Sequence, residues 1–282
     1  MEFRPTRRAA LRTAQESRLG CPFDFVFENP LDGSFKDLDF IKHMVLVNPY
    51  TVFQQETSYC HFGYEYRKRT VFITTLLRFN PPLPCPDCPC RQWRLSQRHK
   101  QNMIECGFVA RNSIPPPLTC QIIDAWIHRT QWAEHRIFLD VFSGFGSVSE
   151  VVKSRYPQID IFCNDIVNRD HTNIQLDVSS TRDVLMVLLR FALAMIRRGR
   201  KRVDVYTEAS NSDTLDMATT LRKLNIAVLF HMSTPCETYS IGCANHHRES
   251  KRTVPKTEMA KKHDAMNRSL AQWVCANVLP NC

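Results

Sequence analysis

Two short motifs place a nucleophile and an acid where each could take part in covalent chemistry. The first, STPCETYS (Ser233 to Ser240), follows the apolar run Ile226 to Phe230 and predicts a tight turn that presents Cys236 beyond a buried strand. The second, FVFENP, ends another apolar run with Glu28. A thiolate is a nucleophile, and a carboxylic acid can neutralise the charge that its attack creates. The pair therefore predicts covalent catalysis.

A third unit predicts a site for a nucleoside-containing cofactor. IFLDVFSGFGS runs from an apolar strand through Asp140 into a loop with Gly144 and Gly146, and such glycines let the backbone approach a ligand closely. A G-x-G pair alone is a weak signal, because tight turns use it for steric reasons. About twenty residues further on, the apolar strand IDIFCND ends in Asp165, an acid placed to bind the hydroxyls of a ribose.

With these three pieces the chain resembles the cytosine-C5 DNA methyltransferases over most of its length. In that family the cofactor loop comes first, followed by the Pro-Cys loop, the Glu-Asn strand, an Arg-x-Arg strand and an Asn-containing segment. Here ENP precedes YRKRTVFIT (Tyr66 to Thr74) and RNSIPPPL (Arg111 to Leu118), and FSGFGS and STPC come last. The resemblance therefore implies a circularly permuted member, similar to the phage-type and mobile-element branch. Permutation is tolerated where the original termini lie close together at the surface.

The resemblance also implies a role for each motif residue. Cys236, beside Pro235, would attack C6 of a cytosine whose N3 edge Glu28 holds. Asn29 would fix the loop around Pro235, and the Arg-x-Arg pair, Arg67 and Arg69, would grip the cytosine carbonyl oxygen and shape the Cys loop. The implied contacts of S-adenosylmethionine are Asp140, Phe142, Ser143, Gly144, Gly146, Asp165, Ile166, Asp177 and Asn112. A cytosine in a duplex would have to be flipped out of the stack.

Two of these positions leave alternatives open. Asp177 would bind the adenine amino group, but an Asp before Ser-Ser also caps a following helix well. Glu237 stands where the family usually has Gln, and its charge beside Cys236 disfavours the thiolate unless the side chain points away.

A cysteine-rich stretch occupies the interval where the family places target recognition, about Leu77 to Cys106. PPLPCPDCPCRQWRLSQRHK supplies Cys85, Cys88, Cys90 and His99 as candidate zinc ligands. Because only Pro89 separates Cys88 from Cys90, simultaneous ligation is awkward, and a Pro-rich loop with incidental thiols is the favoured interpretation. Basic residues around Trp93 suit phosphate contact and base stacking. So short a region predicts a short target sequence.

Composition favours an intracellular nucleic-acid enzyme and excludes a membrane-spanning one. The 282 residues suffice for one large domain with a small lobe, and the formal charge of +9 favours a polyanionic partner. The N-terminus is too charged for a signal peptide, and Val184 to Ile196 is too short to span a bilayer. Twelve cysteines without such a signal predict reduced thiols, with Cys163 and Cys275 in the core. We expect a soluble monomer, in the nucleus of a eukaryote or otherwise in the cytoplasm.

The coarse pattern alternates strands and helices, which predicts an α/β fold with a doubly wound, mostly parallel, Rossmann-like sheet. The predicted strands are 24–27, 70–75, 136–141, 159–163 and 226–230, with 203–206 as a further candidate. The predicted helices are 113–128, 148–155, 183–197, 214–224 and 264–277. Residues 19–76 and 107–282 would form the two halves of the catalytic domain, and 77–106 the recognition lobe. The stretch 179–225 is longer than the family usually has between the cofactor acids and the Pro-Cys strand.

Three functions stay open at this point. The first is methylation of cytosine C5 in DNA with S-adenosylmethionine. The second is the same reaction on RNA, because base flipping and positive charge serve both nucleic acids. The third is a catalytically silent nucleic-acid-binding derivative. Such a derivative has no reason to retain both Cys236 and Glu28, so the sequence favours an enzyme.

Overall fold

One mixed β-sheet forms the centre of the molecule. The computed structural model describes residues 20–31, 33–64, 68–84, 113–179, 183–199, 214–234, 246–249 and 254–279. Within these ranges the strands are β1 (Phe23–Pro30), β2 (Phe53–Ser58), β3 (Arg69–Thr74), β4 (His135–Asp140), β5 (Ile159–Cys163) and β6 (Ile226–Ser233). They lie in the order β2-β3-β1-β6-β4-β5. The pairs β1/β6, β4/β6 and β4/β5 are parallel, whereas β3 is antiparallel to both β1 and β2.

Helices cover both faces of this sheet in the described part of the chain. They are α1 (Asp39–Val47), α2 (Pro116–Arg129), α3 (Ser147–Arg155), α4 (Val184–Gly199), α5 (Thr214–Lys223) and α6 (Glu258–Trp273), and α6 continues as a π-helical turn, Val274–Val278. Short 3-10 turns occupy Phe35–Asp37 and Tyr59–Phe62. None of the described helices is long and apolar enough to cross a membrane.

The core is split by the sheet into two apolar layers. One layer contains the inward faces of α1, α4, α5 and α6 packed on Phe25, Phe27 and Phe230. The other contains α2 and α3 packed on Phe72 and Phe138. Because side chains alternate across a strand, this division tells which face each polar residue of the site occupies. The fold is thus a three-layer α/β arrangement with a mostly parallel sheet.

The predicted strands and helices of the described part are confirmed with small shifts of their ends. Residues 203–206 lie outside the described residues. Two elements were not predicted: strand β2 and helix α1. Helix α6 begins at Glu258 rather than at 264, because the Thr257 side chain accepts a hydrogen bond from the Ala260 N–H and caps the helix.

The sheet has a point where the winding reverses. From β4 the chain continues to β5 on one side, and it later returns to β6 on the other side of β4. Open α/β sheets bind ligands at such a point, outside the carboxyl ends of the strands. β1 lies beside β6 and parallel to it, so its carboxyl end reaches the same edge. Glu28, Asp140, Cys163 and Ser233 stand at or near the carboxyl ends of these four parallel strands.

Candidate functional site

A cavity of about 480 Å³ opens at this edge of the sheet, a volume typical of small-molecule sites. Residues from four strand ends line it, among them Glu28, Asp140, Asp165 and Thr234. Lys262, His263 and Met266 of α6 line another side. The structure therefore brings to one cavity the predicted acid, the predicted cofactor loop and Thr234, the residue immediately before Pro235.

Glu28 is buried and held by contacts from three elements. The Tyr59 hydroxyl donates to Oε1 at 3.1 Å, the Ser233 hydroxyl donates to Oε2, and Lys68 Nζ lies 3.6 Å from Oε1. Burial by itself raises the pKa of the carboxyl, but Lys68, the Ser233 hydrogen bond, His231 and Tyr59 together outweigh it, so that the pKa lies below the ordinary value of 4.5. In the free protein Glu28 is accordingly a carboxylate at neutral pH.

Lys68 and Arg69 lie on opposite faces of the sheet. Glu28 pairs with Phe72 across the β1/β3 ladder, and directly opposite residues share a face. Counting back by twos from Phe72 puts Lys68 on the face of Glu28, whereas Arg69 shares the face of Val71 and Ile73. The cavity lining includes Lys68 and, among the residues described, does not include Arg69. Arg67 lies outside the described residues.

Asn29 ties strand β1 to the end of β6. Its amide nitrogen donates to Thr234 Oγ1 at 2.8 Å and lies 3.4 Å from the Thr234 carbonyl oxygen. Both residues are buried. The predicted role of Asn29 concerned the loop at Pro235, and its bonds end at the residue immediately before that proline. Pro235 and Cys236 lie outside the described residues.

A second anchor fixes the segment 246–249. The fully buried Arg248 makes a bidentate pair with Asp264 of α6, at 2.6 and 3.1 Å. His247 Nδ1 lies 2.9 Å from the Thr257 hydroxyl. Bidentate Arg–carboxylate pairs fix geometry as well as charge. Segment 246–249 is therefore held against the helix whose Lys262, His263 and Met266 line the cavity.

The glycine loop after β4 has two glycines with different functions. Gly144 has φ +52°, and a Cβ there would meet only the Phe142 carbonyl oxygen, at 4.0 Å, so the space beside it is open to a ligand. Gly146 has φ +74°, and a Cβ there would stand 2.9 Å from the His171 ring. Gly144 thus lines the cavity, whereas Gly146 serves the packing of His171 and the start of α3.

The two acids predicted to bind the cofactor also organise their loops. Asp165 accepts from the Gly144 N–H at 2.8 Å and from the Val167 N–H at 2.9 Å. Asp177 accepts from the Ser179 N–H and hydroxyl, at 2.9 and 2.6 Å. Asp177 therefore caps a local turn at Ser179. It does not cap the first turn of α4, which begins at Val184. Both acids line the cavity.

Asp140 is engaged by a histidine that the sequence did not single out. Asp140 Oδ1 lies 3.0 Å from His231 Nδ1, and both side chains are buried. The strands β4 and β6 set this pair directly opposite each other in register. The His231 ring stacks on Phe138 with centroids 5.9 Å apart. Asp140 therefore reaches the cavity beside His231 instead of standing alone as a ligand-binding acid.

The described lining fits the nucleoside cofactor that the sequence predicts. Ile166, which is 60% exposed, offers an apolar face at the rim for a flat base. The buried Ser143 hydroxyl finds no hydrogen-bond partner among the described residues, so a polar ligand group could satisfy it. Phe142 and the open side of Gly144 add apolar surface and room. Asn112 lies outside the described residues, and Ile114, two residues later, lines the cavity.

No cluster of His, Cys, Asp or Glu in the described ranges could hold a metal ion. The predicted zinc ligands Cys85, Cys88, Cys90 and His99 lie outside those ranges. Cys60, Cys120, Cys163 and Cys275 form no disulfide, as predicted, whereas Cys21 is disulfide-bonded, so the expectation of reduced thiols is wrong for Cys21. Burial, with the charge of Asp140, raises the pKa of Cys163 to about 12, which makes this thiol unreactive.

Sequence reasoning missed Tyr59, Lys68, Ser233 and His231 as parts of the site. The predicted strand 226–230 stops short of His231 and Ser233, and extending its alternation from Leu229 would have put both side chains on one face. Lys68 lies between Arg67 and Arg69 in YRKRTVFIT, and the Arg-x-Arg pattern assigned roles only to the two arginines.

Comparisons with protein-family models, with curated proteins and with solved structures found no match to this chain.

Proposed function

We propose that this chain is an S-adenosylmethionine-dependent cytosine-C5 methyltransferase that acts on DNA. The observation that carries the proposal is the convergence at one cavity of Glu28, of Thr234 next to the Pro-Cys motif, and of the glycine loop, whose Gly144 N–H donates a hydrogen bond to Asp165. These residues are spread over the sequence between positions 28 and 234, and the strands of the sheet bring them together. Because no known family matches the chain, the proposal rests on the chemistry of these side chains and on the resemblance of their motifs.

The proposed mechanism assigns attack and proton handling to residues of this chain. Cys236 follows Thr234 by two residues, a separation that spans about 7 Å at most, so its thiolate is available to attack C6 of a cytosine in the cavity. Glu28 takes up a proton when the base is bound and passes it to N3 as the thiolate adds to C6, which leaves the ring nucleophilic at C5. Asn29 fixes Thr234 and thereby the start of the nucleophile loop. After methyl transfer the C5 proton is lost to solvent, the C5–C6 double bond re-forms as the C6–S bond breaks and releases the thiolate, and N3 returns its proton to Glu28.

S-adenosylmethionine, when bound, supplies the electrophilic methyl group. Asp165 and Asp177 would hold its nucleoside, while Ser143 and Gly144 would contact its polar amino-acid end. Ile166 would cover the base at the rim. Each of these residues lines the cavity, and each was implied by the resemblance. The permuted order of motifs is part of the proposal, and the parallel neighbours β1 and β6 support it, because the first strand of the described residues lies beside the last one.

A labelling experiment tests this function. The protein would be incubated with S-adenosylmethionine that carries a labelled methyl group and with duplex DNA or single-stranded RNA of mixed sequence. We expect label on cytosine C5 of the DNA and loss of transfer in Cys236→Ser, with cofactor affinity unchanged. Cys120→Ser is the matched control, because Cys120 is a free thiol on α2 and is not part of the described cavity lining.

The outcomes separate the alternatives. Label on RNA alone would transfer the same chemistry to the other nucleic acid. Cofactor binding without label on either would point to the silent nucleic-acid-binding derivative. Full transfer by Cys236→Ser would eliminate the covalent mechanism.

A further inference from the structure

We propose that Lys68 is a positioning residue of this site: together with Tyr59 it holds Glu28 as a carboxylate in the free protein, so that entry of a pyrimidine base carries a proton from solvent onto Glu28. The identity of the entering base rests on the proposed function. The pairing of Lys68 with Glu28 does not, because it is set by contacts within the chain.

Lys68, Tyr59 and Glu28 form a closed triangle of contacts. Lys68 Nζ lies 3.6 Å from Glu28 Oε1, and the Tyr59 hydroxyl donates to the same oxygen at 3.1 Å. The ammonium also stands over the Tyr59 ring, 4.8 Å from its centroid, within the range of a cation–π interaction. The Tyr59 N–H donates to the Lys68 carbonyl oxygen at 3.0 Å, which ties the two backbones together.

The triangle is largely shielded from water. The Lys68 and Glu28 side chains are only 11% and 5% exposed, so screening by solvent and salt is weaker than for a surface pair. An unpaired charge at such a position is costly. The ion pair therefore keeps its geometry, and the exposed part of Lys68 faces the cavity that it lines.

Among the described residues, Lys68 is the partner that lowers the pKa of Glu28 most. The described groups that face Glu28 are Lys68 just before β3, Tyr59 from the turn after β2, and Ser233 and His231 from β6, with Asp140 of β4 behind His231. Burial pushes the pKa of Glu28 up and is the largest single effect. Among the effects that lower the pKa, Lys68 comes first, ahead of Ser233, His231 and Tyr59.

A carboxylate is the wrong partner for N3 of a neutral cytosine, because both groups only accept hydrogen bonds. Contact between them requires a proton in the middle. That proton comes from solvent, is shared between a Glu28 oxygen and N3, and involves no change in any bond to carbon. Lys68 thus fixes which form of Glu28 meets the base, and binding becomes linked to proton uptake. A Glu28 that was already protonated would bind without uptake.

The ionisation of Glu28 can be measured without any ligand. Protein with ¹³C-labelled glutamate carboxyls would be titrated by NMR as wild type, Lys68→Met and Lys68→Arg. We expect the Glu28 midpoint to move upward in Lys68→Met and to return towards wild type in Lys68→Arg. The matched control is Lys36→Met, which removes a partly exposed lysine that lies 3.8 Å from Glu56 and outside the described cavity lining. An unmoved midpoint in Lys68→Met would refute the pairing.

Proton uptake is measured by calorimetry of a short cytosine-containing duplex, in two buffers with different ionisation enthalpies. The wild type should take up a proton at neutral pH, Lys68→Met should take up less, and Glu28→Gln none. Binding by the wild type without uptake would overturn the proposal even if methyl transfer occurs. A shifted Glu28 midpoint in a protein that transfers no methyl group would leave the Lys68 pairing standing and remove the proposed function instead. Melting curves of each variant identify those that do not fold.

Discussion

Glu28 combines two requirements that usually oppose each other. A catalytic carboxyl has to be shielded from water to act strongly on a substrate, yet shielding by itself favours the uncharged acid. Here the contacts from Tyr59, Ser233 and Lys68 arrive from three separate elements and keep the buried group charged. Such convergence of perturbing groups in a cavity is characteristic of functional sites.

Replacing Glu28 by Gln tests its part in the chemistry at the scale of one atom pair. Gln keeps the size of Glu and one acceptor oxygen, but it has no acidic proton to neutralise the negative charge that develops on N3. We expect turnover to fall by roughly 100-fold or more, as loss of a positioned acid does, while cofactor binding stays near wild type. Steady-state kinetics with Glu56→Gln as control measure this, since Glu56 is a partly exposed glutamate on β2. Unchanged turnover would reduce Glu28 to a structural residue.

Stability should also depend on pH through Glu28. Its pKa is lowered in the folded state, so the stabilisation is fully present above the unfolded value near 4.5 and is lost as pH falls through the lower folded value. Urea unfolding of wild type and Glu28→Gln at a series of pH values measures this. The stability advantage of the wild type should be constant at neutral pH and shrink below about pH 4.5. An advantage that grows on acidification would contradict the sign of the shift.

At the scale of elements, the sequence predicted what depends on local pattern. Strands β1, β4, β5 and β6 are mainly apolar runs, and a polar residue stands at or next to the carboxyl end of each: Asn29, Asp140, Asn164 and Ser233. Strand β2 was missed because FQQETS lies at the edge of the sheet and Phe53 is its only apolar residue. Helix α1 was missed because its burial does not follow its apolar residues: it buries Ile41 and Met44 but leaves Leu46 and Val47 exposed.

The partners of the site residues were beyond sequence reasoning for a different reason. Asp140 and Asp165 could be identified from their own motifs, because a strand followed by an acid is a local pattern. The bonds from Ser233 to Glu28 and from His231 to Asp140 instead join positions 205 and 91 residues apart. Only the strand register determines such pairs. Lys68 was separated from Arg69 by the same register, which puts adjacent residues on opposite faces.

The glycine loop offers a matched pair of substitutions at the element scale. Gly146→Ala combines a positive φ with a contact of 2.9 Å to His171 and should cost about 1–3 kcal/mol of unfolding free energy. Gly144→Ala has the same kind of backbone but open space around it, so we expect only about 1–2 kcal/mol together with weaker S-adenosylmethionine binding. Urea unfolding and calorimetry measure the two effects. A larger loss of affinity in Gly146→Ala than in Gly144→Ala would place the ligand elsewhere.

At the scale of the whole molecule, the sheet brings residues that are distant in sequence to one of its edges. Residues 19–76 supply Glu28, Asn29 and Lys68, and residues 107–282 supply the glycine loop and β6. Neither half holds a complete site, because β1 has to pair with β6 before Glu28 meets Ser233. The site therefore forms only when both parts of the chain fold together. Its geometry then depends on the pairing of the strands and not on the order of the motifs along the sequence.

The net charge of the whole chain gives the last prediction. A formal charge of +9 favours attraction to phosphates, and each phosphate contact contributes about −0.9 to the slope of log K against log salt for duplex DNA. Arg91, Arg94 and Lys100 belong to the basic stretch assigned to target recognition. If all of them touch phosphates, replacing them together with Ala should flatten the slope by about 2–3 and weaken binding equally across sequences. Fluorescence anisotropy over a range of salt concentrations measures both quantities. Replacing the exposed Lys261, Lys42 and Lys153 instead gives a control with the same loss of formal charge, and an equal flattening there would attribute binding to overall charge rather than to this stretch.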